Sequence, residues 1–274
     1  MDKGRVKNFI IILLVVVNLF FAAIVLMDKL EAESVRRSAH ENLAAVLESS
    51  GITLRDTSLL DLEAYAPIHL RRDMDAELSM MRAVLGNDVY RVDKGGNNYF
   101  YSGSQGQAQL SGTGEFEILP ASGYGEIKSG DLIGTAMDYI KKLGLSSDRA
   151  TAESGTDGEA NIVTLTCTWD KAPVFNCRIK FTFSQSEILL IEGRRTLDMP
   201  VTDKDYGTID AFTALMRFLD ALSESDQTCN EIFGLESGYM LNISVSGDGS
   251  LIPYWKILTD TGEYTIDGIT GRVD

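Results

Sequence analysis

The sequence predicts an α+β protein with an N-terminal transmembrane helix followed by repeated helix-plus-antiparallel-meander units. Three observations predict this fold class. An apolar run without charged residues covers residues 9–27. Beyond it, apolar residues recur at helical spacing in some segments and at every second position in others. Finally, residues 130–196 and residues 207–274 show the same order of one helix and three strands.

The apolar run has the length of a membrane span, because a helix needs about 20 apolar residues to cross the hydrocarbon layer. No small-residue cleavage site follows it, which favours a retained anchor over a removed signal peptide. Lys3, Arg5 and Lys7 precede the run. The positive-inside rule therefore predicts a single-pass protein of the cell membrane, with residues 1–8 in the cytoplasm and the C-terminal domain outside.

One face of this predicted anchor carries a polar residue. Asn18 lies near the bilayer centre, where an interhelical hydrogen bond contributes about 1 kcal/mol. Two interpretations stay open: the face contacts a transmembrane helix of a partner, or the single Asn is simply tolerated. The residues that share this face are Leu14, Asn18, Ala22 and Val25.

The remaining chain divides into a membrane-proximal helix and three α+β units. The segments SGDLIGTAMDYIKKLGL and GTIDAFTALMRFLDALSE each place apolar residues on one helical face, and alternating strands follow both. A helix on one face of an antiparallel sheet is the α+β way of burying that face. The predicted segments are 1–8 (cytoplasmic), 9–27 (anchor), 28–50 (membrane-proximal helix), 51–129 (first unit), 130–200 (second unit) and 201–274 (C-terminal unit).

Composition and motifs exclude some classes of function. The chain has 40 acidic and 25 basic residues and a formal net charge of -15, so its surface repels nucleic acid. His40 and His69 are the only histidines, and neither lies in a metal-binding or nucleophile motif. We therefore expect a protein that is not an enzyme and that has no catalytic residues, cofactor or metal.

The segment IVTLTCTWDKAPVFNCRIKFTF is typical of a β-hairpin that turns at about residues 171–173. Cys167 and Cys177 are symmetric about position 172, so they would face each other across the two strands. They are either reduced thiols that pack as small hydrophobic groups or a disulfide, which an oxidising exterior permits. Trp169 and Trp255, near the turns of two units, either line a groove or pack in the core.

The C-terminal segment LIPYWKILTDTGEYTIDGITGRVD resembles the YycH/YycI family of regulatory proteins, and YycI most closely. The ending Tyr-x-x-Asp-x-x-x-Gly is also shared with PepSY-type domains. The residues that carry the resemblance are Pro253, Trp255, Tyr264, Asp267 and Gly271.

This resemblance implies an accessory protein of the Wal/Yyc sensor histidine kinase of Gram-positive bacteria, which controls cell-wall metabolism. Such a protein has no active site and contacts the kinase through transmembrane helices and extracytoplasmic domains. A YycH-like protein in the membrane is a further expected partner. The alternative function is a PepSY-like protease inhibitor or peptide-binding module of the cell envelope.

Overall fold

Strands dominate the part of the chain that the computed structural model describes. The described residues are 38–274 except 125–126, 128–130, 150–151, 159, 185–186, 197–198, 202–206, 226–227 and 245–246, together with 14, 17, 18, 20, 21, 26 and 27. The strands are β1 (Thr53–Leu54), β2 (Ile68–Arg71), β3 (Tyr90–Gly95), β4 (Asn98–Gly103), β5 (Gly106–Leu110), β6 (Glu115–Pro120), β7 (Ser146–Ser147), β8 (Glu153–Asp157), β9 (Ala160–Trp169), β10 (Ala172–Phe183), β11 (Ile188–Arg194), β12 (Met199–Val201), β13 (Glu231–Ile243), β14 (Asp248–Thr259) and β15 (Gly262–Asp267).

The helices begin at aspartates wherever their N-caps are described. Asp73, Asp131 and Asp210 each accept a hydrogen bond from a backbone N–H in the first turn of the helix that follows. This satisfies donors that the helix itself leaves unpaired. The helices are α1 (residues 38–49), α2 (Met74–Leu85), α3 (Leu132–Lys142) and α4 (Ala211–Glu224), with a 3₁₀ helix at Thr57–Asp61.

The fifteen described strands join into one curled sheet. Its main order is β12-β2-β14-β13-β10-β11-β6-β5-β4-β3. The other strands attach at the side: β15 pairs with β14, β1 with β13, β9 with β10, and β7 and β8 with β9. Strands from the beginning of the described chain therefore lie beside strands from its end.

Strand β10 connects the two halves of this sheet. Its second half pairs antiparallel with both β9 and β11, whereas Val174 in its first half pairs with Tyr239 of β13 in a parallel arrangement. The β9–β10 ladder is interrupted between Pro173 and Arg178. Ala172 and Pro173 still pair with β9, whereas Val174, inside the interruption, pairs with β13 instead.

The β9–β10 hairpin agrees with the sequence in part. Six pairs, from Arg178–Thr166 to Phe183–Asn161, have the predicted register. The turn is tighter than predicted and consists of Asp170 and Lys171, which both have positive φ, +46° and +72°. Two such residues are typical of a two-residue hairpin loop. The register near this turn differs from the register of the six predicted pairs, and the change occurs at the bulge between Pro173 and Arg178.

Two hydrophobic clusters lie between the helices and the sheet. The larger cluster packs α2 and α3 against β4, β5, β6, β9, β10 and β11, and it includes Leu70, Leu241 and Leu251 of β2, β13 and β14. The second cluster packs α1 and α4 against β13, β14 and β15, with Trp255 at 1% exposure among its largest side chains. Each pair of helices thus covers a different part of the sheet, and both clusters include residues of β13 and β14.

The predicted fold class is wrong. In residues 130–196 and 207–274 a helix and the three predicted strands are present near the expected positions, but the units do not form separate repeated meanders. Because β10 pairs with β13, and β1 and β2 pair with β13 and β14, the strands of all the units belong to one curled, mostly stranded sheet.

The fold class also predicted an N-terminal transmembrane helix, and this too is corrected. Among the described residues, no helix has both the length and the apolar character needed to cross a membrane. Most of the predicted anchor at residues 9–27 lies outside the described residues.

Candidate protein-binding groove

Helices α1 and α4 leave a groove between them that apolar and polar residues line in similar number, and we call it the α1–α4 groove. Its volume is about 540 Å³, within the range of about 300–1,000 Å³ that is typical of ligand-holding clefts. Its lining residues come from the end of α1, one side of α4 and the segment before β13. They are Val46, Ser50, Gly51, Ile52, Met216, Leu219, Asp220, Leu222, Ser223, Thr228, Cys229 and Asn230.

The α1 wall of the groove arises from the spacing of its apolar residues. Leu43 and Leu47 are one helical turn apart and are 1% and 0% exposed, so they fix α1 to the core. Val46 precedes Leu47 and points to a different side of the helix, where 41% of it is exposed. An apolar side chain therefore lies at the rim of the groove.

The α4 wall has more apolar surface than the core covers. Ala211, Ala214, Leu215 and Phe218 are fully buried and follow helical spacing. Met216 and Leu219, on the neighbouring side of the helix, are only partly buried, and they line the groove. One side of the wide apolar stripe of α4 thus packs in the core, and the other side lines the groove.

The base of the groove is held by backbone hydrogen bonds. Gly51, with a φ of +79°, ends α1 and turns the chain, so that the buried Ile52 closes the floor. The Thr53 N–H then donates to the Asn230 carbonyl at 2.8 Å. Asp260 accepts from both the backbone N–H and the side-chain amide of Asn230, at 3.0 and 2.9 Å. The segment that includes Cys229 is therefore firmly positioned.

Two acidic groups lie at this surface. Asp220 lines the groove, and Asp260 contacts Asn230 at its base. The hydrogen bonds from Asn230 lower the pKa of Asp260 to about 2, so its carboxylate is charged at neutral pH. None of the described residues that line the groove is Lys or Arg.

The three cysteines are free thiols in the structure. Cys167 and Cys177 are 1% and 0% exposed in the larger core cluster. They lie where the predicted register of the hairpin stops, one position beyond the Arg178–Thr166 pair. Burial raises the pKa of Cys177 to about 12 and raises that of Cys167 as well. Both residues pack as small hydrophobic groups in the structure, and the disulfide between them stays the untested alternative.

We expect Cys229 to be the first thiol that a maleimide reagent modifies in the native protein. It is 7% exposed at the base of the groove, whereas the other two thiols lie in the core. Because burial raises the pKa of Cys229, its reaction will be slow. Mass spectrometry after labelling should find one modified thiol in the native chain and three after denaturation. One modified thiol after denaturation would reveal a Cys167–Cys177 disulfide instead.

A buried ionic cluster, which sequence reasoning missed, lies beneath α2. Glu77 is fully buried and accepts from Arg72 Nε and Nη2 at 2.7 and 2.8 Å, from Arg195 Nη2 at 2.5 Å and from the Tyr101 hydroxyl at 2.5 Å. Arg72 also donates to the Asn97 carbonyl at 2.6 Å. These contacts join α2 to β4 and to the segment after β11, so the cluster is a structural centre.

The sequence contains one signal for this cluster. Met81, Val84 and Leu85 form the buried stripe of α2, and Glu77 lies at the position of the stripe one turn earlier. A carboxylate on the apolar side of a helix requires buried partners. Arg195 is far away in the sequence and in no motif, so the partner itself was not predictable.

The connection between β10 and β13 was also missed. Asn176 Nδ2 donates to the Leu241 carbonyl at 2.9 Å, and the Leu241 N–H donates to Asn176 Oδ1 at 2.8 Å. The Asn176 side-chain amide thus forms the two hydrogen bonds that the backbone of a neighbouring strand would otherwise form with Leu241. The two strands can approach closely here because Gly238 has no side chain. A Cβ at this position would lie 2.6 Å from the Pro173 carbonyl oxygen.

Of the predicted partner-helix residues, the two that the structure describes, Leu14 and Asn18, do not line this groove. Leu14 and Asn18 are helical and exposed, Leu14 at 59%. Ala22 and Val25 lie outside the described residues. The predicted contact of this face with a transmembrane helix therefore stays untested.

The residues that carry the family resemblance have structural contacts. Trp255 donates to the Ile209 carbonyl at 3.1 Å, and Tyr264 packs on Phe218 with ring centroids 4.9 Å apart. The Asp267 carboxylate accepts from the N–H groups of Ile269 and Thr270, both at 2.8 Å. These residues thus fix the C-terminal turn and the packing of α4. Trp169, in contrast, lines a second groove between α2 and α3.

Comparisons with known proteins assign no family. No protein-family model and no curated protein matches the chain. The solved structure of an uncharacterized protein from Eubacterium rectale is similar over 78% of this chain and 86% of its own, with 11% identity and a TM-score of 0.46. A similarity at this level supports no conclusion about the function of this chain.

Proposed function

We propose that this chain is a regulatory protein of the cell envelope that binds a sensor histidine kinase controlling cell-wall metabolism. In this proposal it lies at the extracytoplasmic side of the cell membrane and acts by protein contact, without a catalytic step or a cofactor. The class of partner comes from the YycH/YycI resemblance of the C-terminal segment, and a YycH-like protein would be a further partner.

The α1–α4 groove is the observation that carries the proposal. Val46 is exposed, and Met216 and Leu219 are only partly buried, although all three are apolar. An apolar surface rimmed by polar residues marks sites where other proteins bind. The buried Leu43 and Leu47 and the base at Asn230 hold the groove in a fixed shape. A partner therefore meets a surface that is already formed.

Regulation through this groove requires that the chain distinguish two states of the kinase. Binding shifts an equilibrium only by the difference in affinity for the two states. A tenfold preference corresponds to about 1.4 kcal/mol. Removal of a single apolar contact at the rim of the groove is of this order, so one substitution should change kinase output.

The test places a photoreactive amino acid at position 46 of the full chain in the cells that produce it. Position 92 is the matched control, because Val46 and Val92 are valines with similar exposure, 41% and 37%, on different parts of the surface. We expect a sensor histidine kinase to be captured from position 46 and not from position 92. The autophosphorylation rate of that kinase should then change severalfold with the wild-type chain and stay unchanged with Val46→Glu.

Two outcomes would overturn the proposal. The first is that position 46 captures no histidine kinase. The second is that Val46→Glu and Val92→Glu affect the captured kinase equally, since the groove would then have no special role.

The alternative, a peptide-binding or protease-inhibiting module, has one observation in its favour. Strand β3 lies at an end of the sheet order, and all six of its residues are exposed. An extended peptide adds to such an edge as a further strand. However, β3 carries Arg91, Asp93 and Lys94, and charges of this kind commonly protect edges from pairing. We therefore prefer the groove.

A further inference from the structure

We infer that the α1–α4 groove binds a cationic amphipathic helix of its protein partner. This inference rests on the proposed function, which names the groove as a binding site but not the chemistry that it recognises. The occupant would place apolar side chains between α1 and α4 and Lys or Arg side chains at the rim.

The apolar part of the inference follows from the groove walls. On α4, Met216, Leu219, Asp220 and Ser223 follow helical spacing and face the groove together. On the opposite side, Val46 precedes the polar Ser50 by one turn. Two helices with an apolar strip between them form the kind of groove that receives the apolar face of a third helix.

The charged part follows from the carboxylates. Asp220 is exposed in the lining, and Asp260 holds the base through Asn230. With no Lys or Arg among the described lining residues, the charges at this groove are negative. An acidic partner segment would be repelled, whereas Lys or Arg at the ends of the apolar face would pair with the rim.

Net charge alone does not account for such recognition. The whole chain carries -15, so any cationic peptide is attracted weakly. What the groove adds is a place where apolar burial and carboxylates coincide. A specific complex should therefore depend on individual residues of the groove and not only on the total charge of the chain.

The experiment measures binding of a fluorescent 14-residue helical peptide of Leu and Lys to the purified full chain by anisotropy. A peptide in which Glu replaces every Lys is the comparison. We expect the Leu/Lys peptide to bind at least tenfold more tightly than the Leu/Glu peptide. It should also slow maleimide labelling of Cys229 at the groove base, severalfold, without unfolding the chain.

Matched variants separate the groove from general attraction. Asp220→Lys and Asp138→Lys each change one exposed helical aspartate and alter the net charge equally, but only Asp220 lines the groove. We expect a loss of at least tenfold in affinity for Asp220→Lys and less than twofold for Asp138→Lys. Ser223→Lys, at another exposed lining position, should reproduce the loss if Asp220→Lys disturbs folding. Equal losses at positions 220 and 138 would overturn the inference.

Failure of this inference can be distinguished from failure of the proposed function. If the peptide binds at the groove but no kinase is captured from position 46, the function fails and the inference stands. If a kinase is captured there while Leu/Lys and Leu/Glu peptides bind equally, the inference fails and the function stands.

Discussion

Replacing Glu77 with alanine is expected to lower the free energy of unfolding by about 3–5 kcal/mol. Glu77 is fully buried and pairs with Arg72 and Arg195, whose side chains are 7% and 3% exposed. Without the carboxylate, two guanidinium groups would remain buried with fewer partners, and the Tyr101 hydroxyl would lose its acceptor. Denaturant unfolding of the full chain, followed by circular dichroism, measures the change.

Two variants control for this result. Glu77→Gln keeps the size of the side chain and one carbonyl acceptor, so we expect a smaller loss than for alanine. Asp138→Asn removes an exposed carboxylate from α3 and should change the stability by less than about 0.5 kcal/mol. A loss below about 1 kcal/mol for Glu77→Ala would contradict the role of the cluster.

The same carboxylate should make stability depend on pH. Burial alone would raise the pKa of Glu77, but hydrogen bonds from Arg72 and Tyr101 and the charge of Arg195 outweigh it, and the pKa is lowered from 4.5. A carboxylate with a lowered pKa stabilises the folded state above its ordinary pKa, and this contribution is lost as the pH falls through the folded-state pKa. The denaturation midpoint should therefore fall more steeply below pH 4.5 for the wild type than for Glu77→Gln.

Replacing Asn176 with alanine is expected to lower the free energy of unfolding by about 1–3 kcal/mol, because it leaves a buried donor and a buried acceptor without partners. Both belong to Leu241, which is 2% exposed. The measurement is native-state hydrogen exchange, in which the Leu241 amide should lose protection first. Exchange in β10 and β13 should accelerate together, since this amide pair joins the two strands.

The control is Asn42→Ala, which changes an exposed residue of the same type on α1. It should leave the exchange of the Leu241 amide unchanged. If Asn176→Ala also left that amide as protected as in the wild type, the side-chain bridge would not be what holds the halves of the sheet together.

Local patterns in the sequence predicted much of the secondary structure. Apolar stripes at helical spacing predicted α3 and α4, and the hairpin pattern predicted β9 and β10 with the correct register over six pairs. These features depend on residues within one or two turns of each other, where spacing alone determines which side chains share a face.

The joining of the sheet and the groove depended on contacts that spacing does not encode. The Asn176–Leu241 bridge spans 65 positions, and the Glu77–Arg195 pair spans 118. The prediction of repeated units was wrong for this reason. The recurring order of one helix and three strands does not show that strands of different units pair with each other. The groove had a weak signal, the wide apolar stripe of α4, which by itself is equally typical of a deeply buried helix.

The pairing of β2 with β14 has a consequence for how the polypeptide acquires its structure. Ile68 and Leu251 are partners in that ladder, so a ribosome must synthesise most of the chain before β2 finds its neighbour. Contacts between distant positions require costly loop closure and slow the folding reaction. Nascent chains of this protein would thus expose an unpaired strand for much of their synthesis, the condition in which chaperones are most needed.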